Sequence, residues 1–317
     1  MPEVSVIMPV YNTAPYLERC LRSLQDQTLK DIEVLAVDDG STDGSAEMLD
    51  RWAADDSRFR VFHRPHAGPA RGRNFALDRA QGRFVMFCDS DDAYELEMCE
   101  RMADVLRRED VDFAQCDASW QVEDDVPQSE AEFRRSEPSV KALPAGRVAL
   151  TDAVLLTSSV YLWSKIFRRD LIVRHGIRFP DGSFLGDDAA FVHQYGMVSS
   201  SVFHLPVPLY RHALRQASIM GEMYREARKV RNDGLAAAML TLGFAERQGI
   251  VQSRLEFIQG MIGMHYRTYR ACFDVSERPA LLRKFNDLLA TLPPPRKRIV
   301  DIGGRTLMVG IAGKQGQ

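Results

Sequence analysis

Between residues 4 and 116, short apolar β-branched runs alternate with segments of helical period, and this alternation constrains the fold more than any other feature. Val4–Met8 reads as a strand. After it Thr13 stands as an N-cap, Pro15 falls in the first turn, and Leu17, Cys20, Leu21 and Leu24 form a stripe at helical spacing. Ile32–Val37 is a second strand, stopped by DDGSTDGS, which leads into a helix over 45–54. Arg60–His63, a helix over 69–80, Arg83–Cys88, a helix over 96–108 and Val111–Cys116 continue the series. Such alternation predicts βαβ units, hence an α/β fold: a mainly parallel sheet flanked by helices, with a C-terminal helical region described below.

At 317 residues the chain can hold one large or two ordinary domains, and 45% hydrophobic with 27% charged residues is a globular composition. No stretch approaches the roughly 20 apolar residues of a membrane-spanning helix, and the opening MPEVSVIMPVYN lacks the basic region of a signal peptide, so the expected compartment is the cytoplasm. A net charge of −3 argues against nucleic acid as a partner. Cys20, Cys88, Cys99, Cys116 and Cys272 are odd in number and widely spaced, and read as small buried hydrophobes rather than disulfide or zinc ligands.

The polar, acidic stretch Gln121–Glu137 reads as a solvated insertion. A helix over 147–156, the aromatic run VYLWSKIF at 160–167, a helix over 189–197 and a strand over 201–205 follow. Three helical blocks near 222–248, 253–272 and 277–291 make up the C-terminal region. The expected division is 1–220 (in parts 1–117 and 118–220), a helical region 221–292, and a basic tail 293–317 carrying Arg296, Lys297, Arg298, Arg305 and Lys314.

Polar clusters fall at strand carboxyl ends, where open α/β sheets bind ligands: Pro9-Val10-Tyr11-Asn12, Asp38-Asp39-Gly40-Ser41-Thr42-Asp43 and Asp89-Ser90-Asp91-Asp92. One alone could be a turn; three together point to a site. The three carboxylates of Asp89, Asp91 and Asp92 repel one another unless a cation or bound group compensates them, and Mn²⁺ or Mg²⁺ with substrate phosphates would do so. An exposed acidic turn is the other reading. His63, His66, His175, His193 and His265 show no ligand spacing, and Trp163 reads equally as a stacking platform for a ligand or a core aromatic.

PVYN, VDDGSTDGS, GPARGRN (68–74) and FCDSDD (87–92), in this order and at these spacings, resemble the family 2 glycosyltransferases of GT-A fold over residues 3 to about 117. The resemblance continues more weakly to about 220 through WSKIFRR (163–169), GDDAAF (186–191) and YRHALRQASI (210–219). It implies inverting transfer of a sugar from a nucleoside diphosphate donor, often UDP-linked, to a hydroxyl of a glycan or lipid-linked acceptor. By the same resemblance Pro9, Tyr11, Asn12, Asp38 and Asp39 line a nucleoside pocket, Arg73 and Asn74 face the donor, and Asp89 and Asp91, flanking Ser90, are the D-x-D that holds donor and metal. Asp188 is the implied general base and Asp187 its support, with their order left open; Arg211 and His212 would either assist the leaving group or form a basic surface loop. Two departures stand out: Gly72 replaces the family's Ala, and Asp187 its Glu.

A sugar-phosphate nucleotidyltransferase would call for a basic glycine-rich loop after the first strand, which PVYNTAPY lacks, and a dinucleotide oxidoreductase for G-x-G-x-x-G. A non-catalytic nucleotide-sugar binding module stays open, opposed by the D-x-D and a candidate base together. The basic tail suggests peripheral contact with an anionic membrane carrying a lipid-linked acceptor, against an uninvolved tail.

Overall fold

The structure, a computed structural model, describes residues 1–123, 126, 143–180, 186–215, 233–269, 276–302 and 305–310. It runs β1 (Val4–Val10), α1 (Ala14–Gln25), β2 (Ile32–Asp38), α2 (Ser45–Asp55), β3 (Phe59–His63), α3 (Pro69–Leu77), β4 (Phe84–Phe87), β5 (Ala93–Tyr94), α4 (Met98–Arg108) and β6 (Phe113–Val122). There follow β7 (Gly146–Ala149), α5 (Asp152–Thr157), β8 (Lys165–Arg168), α6 (Arg169–His175), α7 (Asp187–Val198) and β9 (Ser201–Leu214). The C-terminal part comprises α8 (Asp233–Arg247), α9 (Leu255–Tyr269), α10 (Arg278–Ala290), β10 (Lys297–Ile302) and β11 (Arg305–Gly310).

Nine strands form one sheet, ordered β3-β2-β1-β4-β8-β6-β9-β5 with β7 on β9. The β3-β2-β1-β4 half is parallel, as the alternation predicts. Beyond β4 the sheet is mixed: β8 is antiparallel to β4 and β6, and β5 and β7 are antiparallel to β9. Antiparallel neighbours need no crossover helix, so this half has no periodic βα signal to read. The helix expected over 147–156 divides for the same reason into β7, paired on β9, and α5, which Thr151 caps by accepting the Val154 N–H.

Period-two alternation sends Ile7, Leu35, Val37, Val85 and Phe87 to one face, under α3 and the C-terminal helices, and Val4, Val6, Met8, Val34, Ala36 and Phe84 to the other, with α1 and α4. Both faces are therefore dry, and the strands are apolar on both sides. Cys20, Cys88, Cys99 and Cys116 are buried free thiols; Cys272, residues 127–137 and 216–232, and the tail beyond 310 lie outside the described residues. Residues 297–302 and 305–310 of the tail pair as antiparallel strands, and the Asn286 amide clasps the backbone of buried Ile299, at 2.7 Å from its N–H and 3.1 Å from its carbonyl. No helix among the described residues is long and apolar enough to cross a membrane. Strand order reverses at β1, leaving a crevice beyond the carboxyl ends of β1 and β4.

Candidate active site

Loops after β1 and β2 are tied together at this crevice. Asn12 takes a left-handed conformation (φ 51°), accepts the Thr42 N–H at 2.8 Å and donates its own N–H to Ser41 Oγ at 3.1 Å. Asp38 accepts the Ser41 N–H at 2.9 Å and meets His63 Nδ1 at 3.0 Å. Asp39 accepts the N–H groups of Ala67 and Gly68, both at 2.8 Å, and lies 2.8 Å from His66 Nδ1. The half-exposed Tyr11 ring stacks on His66 at 4.2 Å. His66, which carries no spacing signal, thus stands beside the residues assigned to the nucleoside pocket. Pro9, in β1, pairs with Val37 along the same edge.

The acidic turn after β4 is neutralised from within. Asp89 Oδ1 is 2.9 Å from Arg73 Nη2, and Asp91 Oδ2 is 2.7 Å from Arg215 Nε. Buried Asp92 accepts from Tyr210 Oη (2.5 Å) and the Ala213 N–H (2.7 Å) and pairs with His212 Nδ1 (2.9 Å). Ser90 Oγ accepts from the Thr13 hydroxyl. Part of the repulsion is thus answered within the protein, Arg73, Arg215 and His212 each facing one of the three carboxylates. Burial raises Asp92 to about 6, while His212, despite its own burial, is raised to about 9 by Asp92, so the pair is ionised at neutral pH.

Two neighbouring assignments change. Arg211, beside His212 on β9, points the other way, toward Glu95 (3.1 Å) and the Tyr94 carbonyl, while Arg215, just past the end of β9, reaches the acidic turn. Trp163 is 4% exposed, its ring stacked against those of Tyr161, Tyr210 and His212, which makes it a core aromatic.

Across the crevice, α7 begins at Asp187, directly after Gly186 in a left-handed conformation (φ 80°) that only glycine adopts cheaply. The helix N-terminus favours the two carboxylates that follow. Arg73, from α3 and 6% exposed, joins the sides: 2.8 Å to Asp187, 2.9 Å to Asp89 and 3.3 Å to Asp188. Burial opposes its charge, but the three carboxylates outweigh it and hold the guanidinium more firmly protonated than usual. Asp187 also accepts the Asp188 N–H at 2.9 Å. Asp188 is raised to about 7, first by burial and then by Asp187 and Asp89, with Arg73 opposing. Asn74 does not join this group: its side chain clasps both backbone groups of Phe179, at 2.9 and 3.0 Å.

The parallel half-sheet that carries this acidic turn at its switch point, with Arg73 behind the turn and the acid pair opposite, is part of a GT-A fold. Residues 5–148 match the glycosyl transferase family 2 model. The chain is 29% identical over 272 residues to the putative glycosyltransferase EpsH of Bacillus subtilis, covering 83% of this chain and 75% of that one. The fold is similar to S. aureus TarS 1–349 in complex with UDP-GlcNAc (TM-score 0.71, 22% identity, 92% of this chain and 82% of that one). It is also similar to the Pyrobaculum calidifontis mannosyltransferase PcManGT in complex with GDP-Man and Mn²⁺ (TM-score 0.54, 19% identity, 91% and 81%).

Proposed function

We propose that this glycosyltransferase works with inversion, moving a sugar from a nucleoside diphosphate, foremost UDP, to a hydroxyl of a glycan or lipid-linked acceptor with the help of Mn²⁺ or Mg²⁺. The observation that carries the reading is the Arg73 bridge, which brings Asp89 and the Asp187–Asp188 pair onto one guanidinium. The UDP-GlcNAc bound by TarS and the GDP-Man and Mn²⁺ bound by PcManGT support the donor class and the metal through likeness of fold.

Asp89 and Asp91 suit a hard divalent ion, each committing one oxygen to an arginine. Among the described residues no group of three acids, histidines or cysteines is placed to hold an ion alone, and substrate phosphate oxygens would add to the two aspartates. The ion would offset charge developing on the leaving diphosphate. His212, held charged by Asp92, adds a fixed positive group beside that turn. Asp187 is fully occupied and orients; Asp188, proton affinity near neutrality, takes the proton of the acceptor hydroxyl, worth about 10²–10⁴ in rate.

Calorimetry of UDP with Mn²⁺ against chelator tests the metal: affinity should drop in chelator, and Asp91→Ala should erase the difference. Asp188→Asn should keep donor affinity and lower transfer from a UDP-sugar by about 10²–10⁴. Wild-type turnover in that variant would move the base elsewhere. We further place the enzyme in the cytoplasm at an anionic membrane, because the β10–β11 pair exposes Leu307 and Val309 with Arg298 on its surface. Equal pelleting with anionic liposomes before and after truncation at 296 would remove that contact.

A further inference from the structure

Two arginines grip Asp91 and converge on one ring. Arg215, just past the end of β9, donates through Nε to Asp91 Oδ2 at 2.7 Å, and Arg19 on α1 donates through Nη2 to the Asp91 carbonyl at 2.9 Å. Both guanidiniums lie over Tyr16, at 5.0 and 5.9 Å from its ring centroid. Arg19 is answered by Glu123 at 2.8 Å, whereas Arg215 meets the Asp91 carboxylate itself. The side chains of Asp91 and Arg215 are 18% and 13% exposed, so water screens their attraction much less than that of a surface pair. We infer that Arg215 is a resident countercation of Asp91 that makes binding of a divalent ion conditional on the nucleotide. The inference rests on the reading of Asp91 as an ion ligand.

An ion arriving alone meets a carboxylate that is already neutralised. It must either sit beside a guanidinium of its own sign or displace that guanidinium from its partner, and each route costs it affinity. A diphosphate changes the balance, because its oxygens offer Arg215 a second anion while adding to the ligands of the ion. Arg215 can then leave Asp91 to the ion without giving up a charged partner. Ion and nucleotide thereby bind with positive coupling, each raising the affinity of the other by the same factor. Arg73 cannot take this part, since it is buried and holds Asp187 and Asp188 as well as Asp89. Arg211 is directed elsewhere, toward Glu95.

Mn²⁺ binding, read as loss of the free-ion EPR signal, tests this without turnover. Arg215→Ala should tighten the binding of Mn²⁺ alone by about tenfold, and the factor by which UDP raises Mn²⁺ affinity should shrink by a similar amount. A merely structural defect would weaken ion binding instead. Arg215→Gln, which keeps a donor without the charge, should behave alike and decides the matter if the alanine variant fails to fold. Arg211→Ala removes the same charge from a neighbouring place and should leave the affinity for Mn²⁺ alone unchanged. Binding of Mn²⁺ alone no tighter in Arg215→Ala than in wild type overturns the inference, and so does an equal gain in Arg211→Ala, which would be an effect of net charge. Asp91→Ala separates the two readings. If it lowers Mn²⁺ affinity in the presence of UDP while Arg215→Ala changes nothing, Asp91 stays an ion ligand and only the countercation falls. If it leaves that affinity at the wild-type value, the ion is held elsewhere and both readings fall.

Discussion

Arg73 is the residue on which both halves of the site depend, and its neighbour Gly72 leaves room for a methyl group. Arg73→Ala would leave Asp187 buried beside Asp89 and Asp188 without a countercharge, so it should destabilise by about 3–5 kcal/mol in urea unfolding and abolish transfer. Arg73→Lys should recover stability in part and little activity, because an ammonium cannot span three carboxylates as the planar fork does. Gly72 sits inside α3, where a Cβ would meet Val37 at 3.6 Å and Pro9 at 3.9 Å, ordinary contacts. Gly72→Ala should therefore stabilise by about 0.5–1 kcal/mol with turnover unchanged, since a helix-interior glycine gains only backbone freedom in the unfolded chain.

Helix α7 carries the acid pair at its first turn and is anchored at its other end by the C-terminal region. Arg254 donates to the carbonyls of Met197, Ser199 and Leu150 at 2.9–3.0 Å and pairs with Asp152, which in turn accepts the Phe257 N–H. A cation there complements the helix dipole as well as its last carbonyls. Arg254→Ala should cost about 2–4 kcal/mol, and turnover should fall although the residue touches no reactant. Along the same helix His193 packs edge-on to Phe257 and lies 6.2 Å from His265 on α9. Burial lowers His193 to about 3, with His265 adding to it, and His265 to about 4. Folded values below the unfolded 6.5 mean that this contribution is complete above pH 6.5 and lost as pH falls. Between pH 6.5 and 5 each histidine should remove about 2 kcal/mol. Urea unfolding at pH 7.5, 6 and 5 measures the slope, and His193→Phe should flatten it.

One apolar cluster runs from Ile7 and Phe87 through Phe191 and Phe257 to Phe285 and Ile299, so the molecule buries the sheet's face and the C-terminal helices in a common core. Thermal unfolding should accordingly show one transition, which UDP with Mn²⁺ moves upward as a whole. Deleting 297–317 uncovers the side chains around Ile299 and Met308 and should lower that transition by several degrees while keeping it single. Two resolved transitions in calorimetry would show that the helices fold apart from the sheet.

By itself the sequence determined the parallel half of the sheet, the helices between its strands and the acidic and polar turns at their ends. These are local properties: a strand buried on both faces must be apolar throughout, and turn chemistry sits beside the residues that turn. Only the tertiary structure decided which charges meet. Arg73 finds Asp187 across 114 residues, Arg215 rather than Arg211 reaches Asp91, and Asn74 goes to Phe179 instead of the crevice. The mixed half of the sheet and the tail's strand pair were likewise settled by pairing between distant segments. Ion pairs and register between remote residues leave no period in the chain, because they arise from how α3, α7 and β9 pack rather than from any neighbour in sequence.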